Sequence, residues 1–180
     1  MVWTDLDQWR WQKLTLESGV QFAPFSYTTS TANRRRAWAT FGSDGLVGNV
    51  DGFSAGELSD AILVGARGQR VRVWVADDGS LRAGSEDVLD VGQFLGTTVI
   101  SGKQQRRQSV LEQYFSGERP RPAEAELKLL AWTATWQTPF VVNDPKRRVG
   151  EALIAMPLQL KRPAAGTNVS IPSPLISYRV

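Results

Sequence analysis

Apolar and polar residues alternate with a period of two in several short segments, the pattern of strands with one buried face. Trp9-Arg10-Trp11 and Leu14-Thr15-Leu16 each alternate, and the phase slips between them at Gln12-Lys13, where a bulge or short break restores it. The alternation returns from Ala37 to Phe41. From Gly42 to Gly56, glycines and turn pairs such as Asp44-Gly45 and Asp51-Gly52 predict a loop, or two tight turns around one short strand. Ala61 to Gly65 fits a buried strand or one helical turn. The clearest element runs from Gln69 to Ala76, with Val71, Val73 and Val75 on one face and Arg70, Arg72 and Trp74 on the other. Asp78-Gly79 then turns the chain into Leu81 to Ala83, which completes a β-hairpin. This alternation buries the valines and points Trp74 towards a second layer or a partner.

Phe94 to Ser101 is apolar and β-branched, and reads as a further strand. Gln104 to Phe115 is the helix: Val110, Leu111, Tyr114 and Phe115 recur at helical spacing, Gln and Arg fill the other face, and Gly117 stops it. Beyond Pro120 and Pro122, Leu127 to Gln137 and Gly150 to Lys161 are expected to form a long antiparallel pair. Helix formers from Ala123 to Ala131 compete with that reading, and Trp132, Thr133, Thr135 and Trp136 tilt it to strand. The stretch from Gly19 to Arg36 is too aromatic for a solvated linker and too broken for a helix. Pro163, Pro172 and Pro174 forbid regular helix at the other end. The expected fold is mainly β, an antiparallel sandwich or barrel-like domain with one short helix and extended N- and C-terminal arms. Its segments are 1–36 (strand and arm), 37–162 (core, helix near 104–116) and 163–180 (tail).

Composition supports this class. The 180 residues include 7 Trp, 16 Gly and 9 Pro, a mixture of large rings and chain breakers that suits short strands. A chain of this length buries enough surface to hold a core without disulfides or a structural metal. Cys 0 and His 0 exclude Ser-His and Cys-His nucleophiles, histidine bases and zinc sites of Cys and His, so no cofactor or catalytic residue is expected. The net charge of +3 gives no strong overall field. The first residues lack a basic region followed by an apolar run, and no stretch is apolar over eighteen residues, so neither a secretory signal nor a membrane helix is expected.

Several places imitate functional motifs. Gly96-Thr97-Thr98-Val99-Ile100-Ser101-Gly102-Lys103 resembles a phosphate-binding loop, but it has one residue too many between its glycines, and Gln104 stands where a magnesium-binding hydroxyl belongs. Asp77-Asp78-Gly79 and Asn49-Val50-Asp51-Gly52 offer oxygen ligands without the acidic residues that complete a calcium shell. Asp87 with Asp90, and Glu124 with Glu126, are carboxylate pairs of the kind a small carboxylate-dependent enzyme would use. Three basic clusters (Arg34-Arg35-Arg36, Arg106-Arg107, Lys146-Arg147-Arg148) are solvated turns, protein contacts or phosphate contacts. With Trp38 and Phe140 nearby, the first and last suit a nucleic-acid-binding β-barrel, the leading alternative function. Asn168-Val169-Ser170 matches a glycosylation acceptor, which means nothing without a secretory signal.

The aromatic arm from Gly19 to Arg36, the hairpin from Gln69 to Ala83 and the tail from Pro163 to Val180 give the chain a texture that resembles small virion proteins of tailed bacteriophages, the capsid-decorating (cement) and tail or connector subunits. The resemblance implies a non-enzymatic structural subunit, located in the virion, that meets copies of itself and other proteins of the particle through its arms. Phe22, Phe25, Tyr27, Ile171, Leu175, Ile176 and Tyr178 are the candidate subunit contacts, being too apolar for fully solvated ends. Arg34, Arg35, Arg36, Lys146, Arg147 and Arg148 are candidate phosphate contacts. Nucleic acid would then be a secondary partner, and a membrane is not expected.

Overall fold

A computed structural model describes residues 2–3, 9–10, 34–65, 68–90, 92–95, 101–116, 127–134 and 150–176. Two compact units emerge from its backbone. One joins Met1–Ala32 with Gln137–Arg148, and its described part is a two-stranded ladder of β1 (Val2–Trp3) and β2 (Trp9–Arg10), with Trp3 opposite Trp9. The continuation of that strand through Trp11 and Leu14 to Leu16 lies outside the described residues.

The other unit, Asn33–Trp136 with Val149–Val180, is a closed seven-stranded barrel. Its strands are β3 (Arg36–Gly42), β4 (Gly45–Asp51), β5 (Ser59–Val64), β6 (Arg70–Val75), β7 (Ser80–Ala83), β8 (Lys128–Thr133) and β9 (Ala152–Leu160). Around the barrel they run β3, β4, β7, β6, β5, β8, β9. Neighbours are antiparallel except β9 and β3, whose parallel pairing (Ala37 with Leu158, Ala39 with Leu160) closes the wall. The mainly β barrel expected from the sequence is therefore present, with one parallel seam that the sequence pattern did not predict.

Period-two alternation builds the interior. Ala37, Ala39, Leu46, Val50, Ala61, Leu63, Val71, Val73, Leu81, Ala83, Leu129, Ala131, Ile154, Met156 and Leu158 all point inward into one core. Val71 and Val73 are buried as expected, and Val75 packs half-buried against the same cluster. Trp74 takes the opposite face and is 44 % exposed, covered by no second layer among the described residues.

Of the two readings of Gly42 to Gly56, one short strand between tight turns is the one present: β4 follows the turn at Ser43-Asp44 and pairs as a hairpin with β3, which spans the alternating Ala37 to Phe41. Glycine in β4 serves packing there. A Cβ on Gly48 would stand 2.1 Å from the Trp38 carbonyl oxygen, so only glycine fits where the strands approach. Ala61 to Val64 are strand, resolving that ambiguity, and β8 and β9 form the expected antiparallel pair, from Lys128 opposite Pro157 to Thr133 opposite Ala152. Phe94 and Leu95 are not in a strand, and residues 96–100 lie outside the described set.

Helix α1 (Gly102–Ser116) packs on the outer face of β5 and β8. Leu111 is fully buried among Ile62, Val64, Leu95, Leu130 and Trp132, and Phe115 stacks on Phe94 at 5.5 Å between centroids. Val110 and Tyr114, expected on the buried face, are each 42 % exposed, and the stripe is completed by Arg107.

Candidate functional site

The C-terminal segment is anchored to its own barrel at several points. Past the end of β9, Lys161 N–H donates to the Ala39 carbonyl at 2.8 Å, carrying the parallel seam one residue further. Pro163 ends that pairing, because it has no N–H to give. Thr167 N–H donates to Ala164 across a turn that Gly166 permits with φ +80, and Ser170 N–H then returns to the Gly42 carbonyl at 2.8 Å. Pro172 is buried, and a single 3-10 turn (Ser173–Leu175) brings Leu175 against the barrel core. The anchors hold an apolar ridge along the segment: Val169, Ile171 and Ile176 are all more than a third exposed, as is Leu160 at the end of β9.

The predicted contact residues therefore divide. Ile171 and Ile176 are exposed on this ridge, while Leu175 packs into its own barrel. Phe22, Phe25, Tyr27 and Tyr178 lie outside the described residues.

A second constellation joins α1 to the barrel wall. Arg107 is 4 % exposed, yet its guanidinium bridges two carboxylates. Its Nε and Nη2 donate to Glu151 at 2.8 and 2.6 Å, Nη1 pairs with Asp60, and Nη2 also donates to the Ser59 hydroxyl at 3.1 Å. Lys103, one turn earlier, pairs with Glu151 at 2.7 Å. Asp60 reaches Arg107 from a bulge in β5, where the pairing with β8 shifts between Ser59 and Ile62. Its φ of 45 is the only positive value at a described non-glycine residue, and Asp tolerates that conformation better than most.

Burial opposes the charge on Arg107, and the hydrogen bonds and charges of Glu151 and Asp60 outweigh it. The hydrogen bond from Arg107, aided by Lys103 against the cost of burial, holds the Glu151 carboxyl down at about 2. A carboxylate kept ionised this far below neutrality is a poor general base. The cluster is a strut that fixes α1 on the barrel.

Sequence reasoning placed Arg107 on the solvated face because it is charged. The signal that finds it is spacing: Arg107, Leu111 and Phe115 recur every four residues on one stripe.

The other sequence candidates resolve locally. Arg34 and Arg36 are exposed, whereas Arg35 lies 4.7 Å over the Phe53 ring and donates to the Gly52 carbonyl at 3.4 Å. Lys146, Arg147 and Arg148 lie outside the described residues, as do Glu124 and Glu126. In the phosphate-loop imitation, the Ser101 hydroxyl accepts from Gln104 N–H at 3.3 Å, and the Gln104 side chain accepts from Ser101 N–H at 2.8 Å. That reciprocal pair is a capping box, which explains Gln104 without a nucleotide. Asp78 accepts from Ser80 N–H, and Asn49 donates to Asp51, as turn and strand chemistry require. Asp87 accepts from Gly84 N–H and from the Trp74 indole. Among the described residues, no three acidic side chains converge in the manner of a metal site. Compared with known proteins, the chain matches no family model, no curated protein and no solved structure.

Proposed function

We propose that this chain is a non-enzymatic structural subunit of a larger assembly, a cement, tail or connector protein of a bacteriophage particle that meets like and unlike neighbours through its terminal segments. One observation carries the contact reading. Of the eight large hydrophobic residues exposed among the described residues, four (Leu160, Val169, Ile171 and Ile176) fall within residues 160–176. Scattered apolar residues need no explanation, but a ridge held in place by backbone hydrogen bonds does. A partner that covers it meets a preformed surface and bears little ordering cost. The virion assignment rests on the texture of the arms and hairpin.

The test separates the ridge from its anchor. In Ile171→Ser/Ile176→Ser, the thermal transition should be unchanged while assembly is lost, read by light scattering as a fall from a multiple of 19.9 kDa to the monomer mass. Leu175→Ala should lower the thermal transition, because that side chain packs on the core. A wild-type chain that stays monomeric at high micromolar concentration and binds no candidate particle protein defeats the proposal. So does a double variant that assembles normally.

A further inference from the structure

The outer wall of the barrel has two halves. Helix α1 covers β5 and β8, while the outward side chains of β3, β4, β7 and β6 are exposed (Arg36, Val47, Asp51, Ser80, Arg82, Trp74) or half-buried (Trp38, Thr40, Asn49, Arg70, Arg72). Register fixes what that second half displays. Thr40 lies opposite Val47, Val47 opposite Arg82, and Arg82 opposite Trp74, a row across four strands. The neighbouring row begins with Trp38, opposite Asn49, which is opposite Ser80. Arg36 and Arg72 continue the same outward positions on β3 and β6.

Both rings on this face are braced. The Trp74 indole N–H donates to Asp87 at 2.9 Å, and the Arg72 guanidinium lies 3.6 Å over its ring, yet the side chain remains 44 % exposed. Lys161 Nζ stands 3.5 Å over the Trp38 ring. Each tryptophan thus carries a cation over one face of its ring and can offer a base only the other face, and Trp38 is half-buried. Register sets the two rings three strands apart around the barrel and in neighbouring rows, so a ligand that reaches both follows the curve of the wall.

Cations outnumber carboxylates at the outward strand positions. These four strands carry Arg36, Arg72, Arg82 and the half-buried Arg70, with Lys161 just past β9, against Asp51, while Asp87 sits on the Trp74 indole and Asp44 lies in the β3–β4 turn. Asp77 and Asp78 lie beyond, in the turn between β6 and β7, where Asp78 is engaged by Ser80 N–H. We propose that this face binds single-stranded nucleic acid, with bases stacking on Trp74 and Trp38 and phosphates meeting Arg36, Arg72, Arg82 and Lys161. An acidic protein segment would satisfy the cations but not the two rings, and a duplex hides the base faces that the rings need. A closed barrel offers no strand edge for pairing, so recognition here runs through side chains and tolerates sequence. Of the basic cluster Arg34-Arg35-Arg36, only Arg36 belongs to this surface. The inference does not rest on the assembly reading, because it uses none of the four ridge residues.

The experiment measures binding of fluorescein-labelled oligo(dT) of about 20 nucleotides by anisotropy as a function of salt, beside the matched duplex and labelled poly-glutamate. Wild type should bind oligo(dT) more tightly than either. Trp74→Ala should weaken binding about 10-fold or more, the scale of one lost base stack. Arg82→Gln, at an exposed position, should weaken it too and flatten the log–log salt slope by about 0.7, the loss of one phosphate contact to a single strand. Circular dichroism melting checks that each variant is folded, and Arg82→Gln decides alone if Trp74→Ala is not. Absence of binding at low salt overturns the proposal. Preference for duplex or for poly-glutamate does so as well, and so does oligo(dT) binding that neither substitution changes.

Discussion

Arg107 decides how the helix is held. Its guanidinium ties two carboxylates that arrive from 47 and 44 residues away, so no local pattern announces the cluster. A buried ion pair is weak evidence of net stability, but removing one partner is costly because the remaining charges lose their compensation. Arg107→Ala should therefore destabilise the protein by about 3 kcal/mol, visible as an earlier urea midpoint. Acid should act through Glu151. Its carboxyl titrates near 2 in the folded chain against an ordinary 4.5, a depressed value, so the stability it confers is complete above 4.5 and is lost as pH falls towards 2. Glu151→Gln should flatten the acid limb of a stability profile in that window. An unchanged profile would show that the Arg107 bridge does not set acid sensitivity. The sequence hid this residue because charge argues for solvent, and only its partners reverse that argument.

At the scale of elements, legibility followed local periodicity. The hairpin of β6 and β7 was readable because Val71 and Val73 alternate with arginines and Asp78-Gly79 supplies the turn. Val73→Asp should abolish cooperative unfolding, since it places a carboxylate among apolar neighbours with no partner. Strand β4 stayed open between a loop and one short strand between tight turns, because its glycines look like turn signals. In the fold Gly45 and Gly48 instead let neighbouring backbone approach, with a Cβ at Gly45 only 2.3 Å from the Ala83 carbonyl oxygen. Gly48→Ala should consequently cost about 1–3 kcal/mol as an overpacked position, although alanine normally lowers the entropy lost on folding a strand. A variant as stable as wild type would mean that β3 and β4 separate freely. The helix was found, but its face was rotated: Leu111 and Phe115 point in, whereas Val110 and Tyr114 point out. An apolar count cannot fix that rotation when one member of the buried stripe is an arginine.

For the whole molecule, closure is what the sequence could not disclose. The barrel shuts through a parallel pairing between strands more than a hundred residues apart, and neither strand carries a mark naming the other. The tail posed the same difficulty. Its prolines and apolar residues called for a covering surface, and only the fold shows Ser170 returning to Gly42 and Leu175 entering the core while Ile171 and Ile176 stay outside. This division bears on how assembly should answer to pH. The chain has no histidine and no cysteine, so its side chains offer no ordinary group that titrates between roughly pH 6 and pH 9. The displaced carboxyls among the described residues, Glu151 held by Arg107 and Asp78 held by Ser80, both move down and away from this window. The exposed ridge is apolar, and burial of apolar surface does not depend on protonation. Contacts made by Val169, Ile171 and Ile176 should therefore hold equally at both ends of that range, and light-scattering mass should stay constant across it. Dissociation within the range would sink the apolar-ridge account, because it would require a titrating group at the interface that the ridge does not contain.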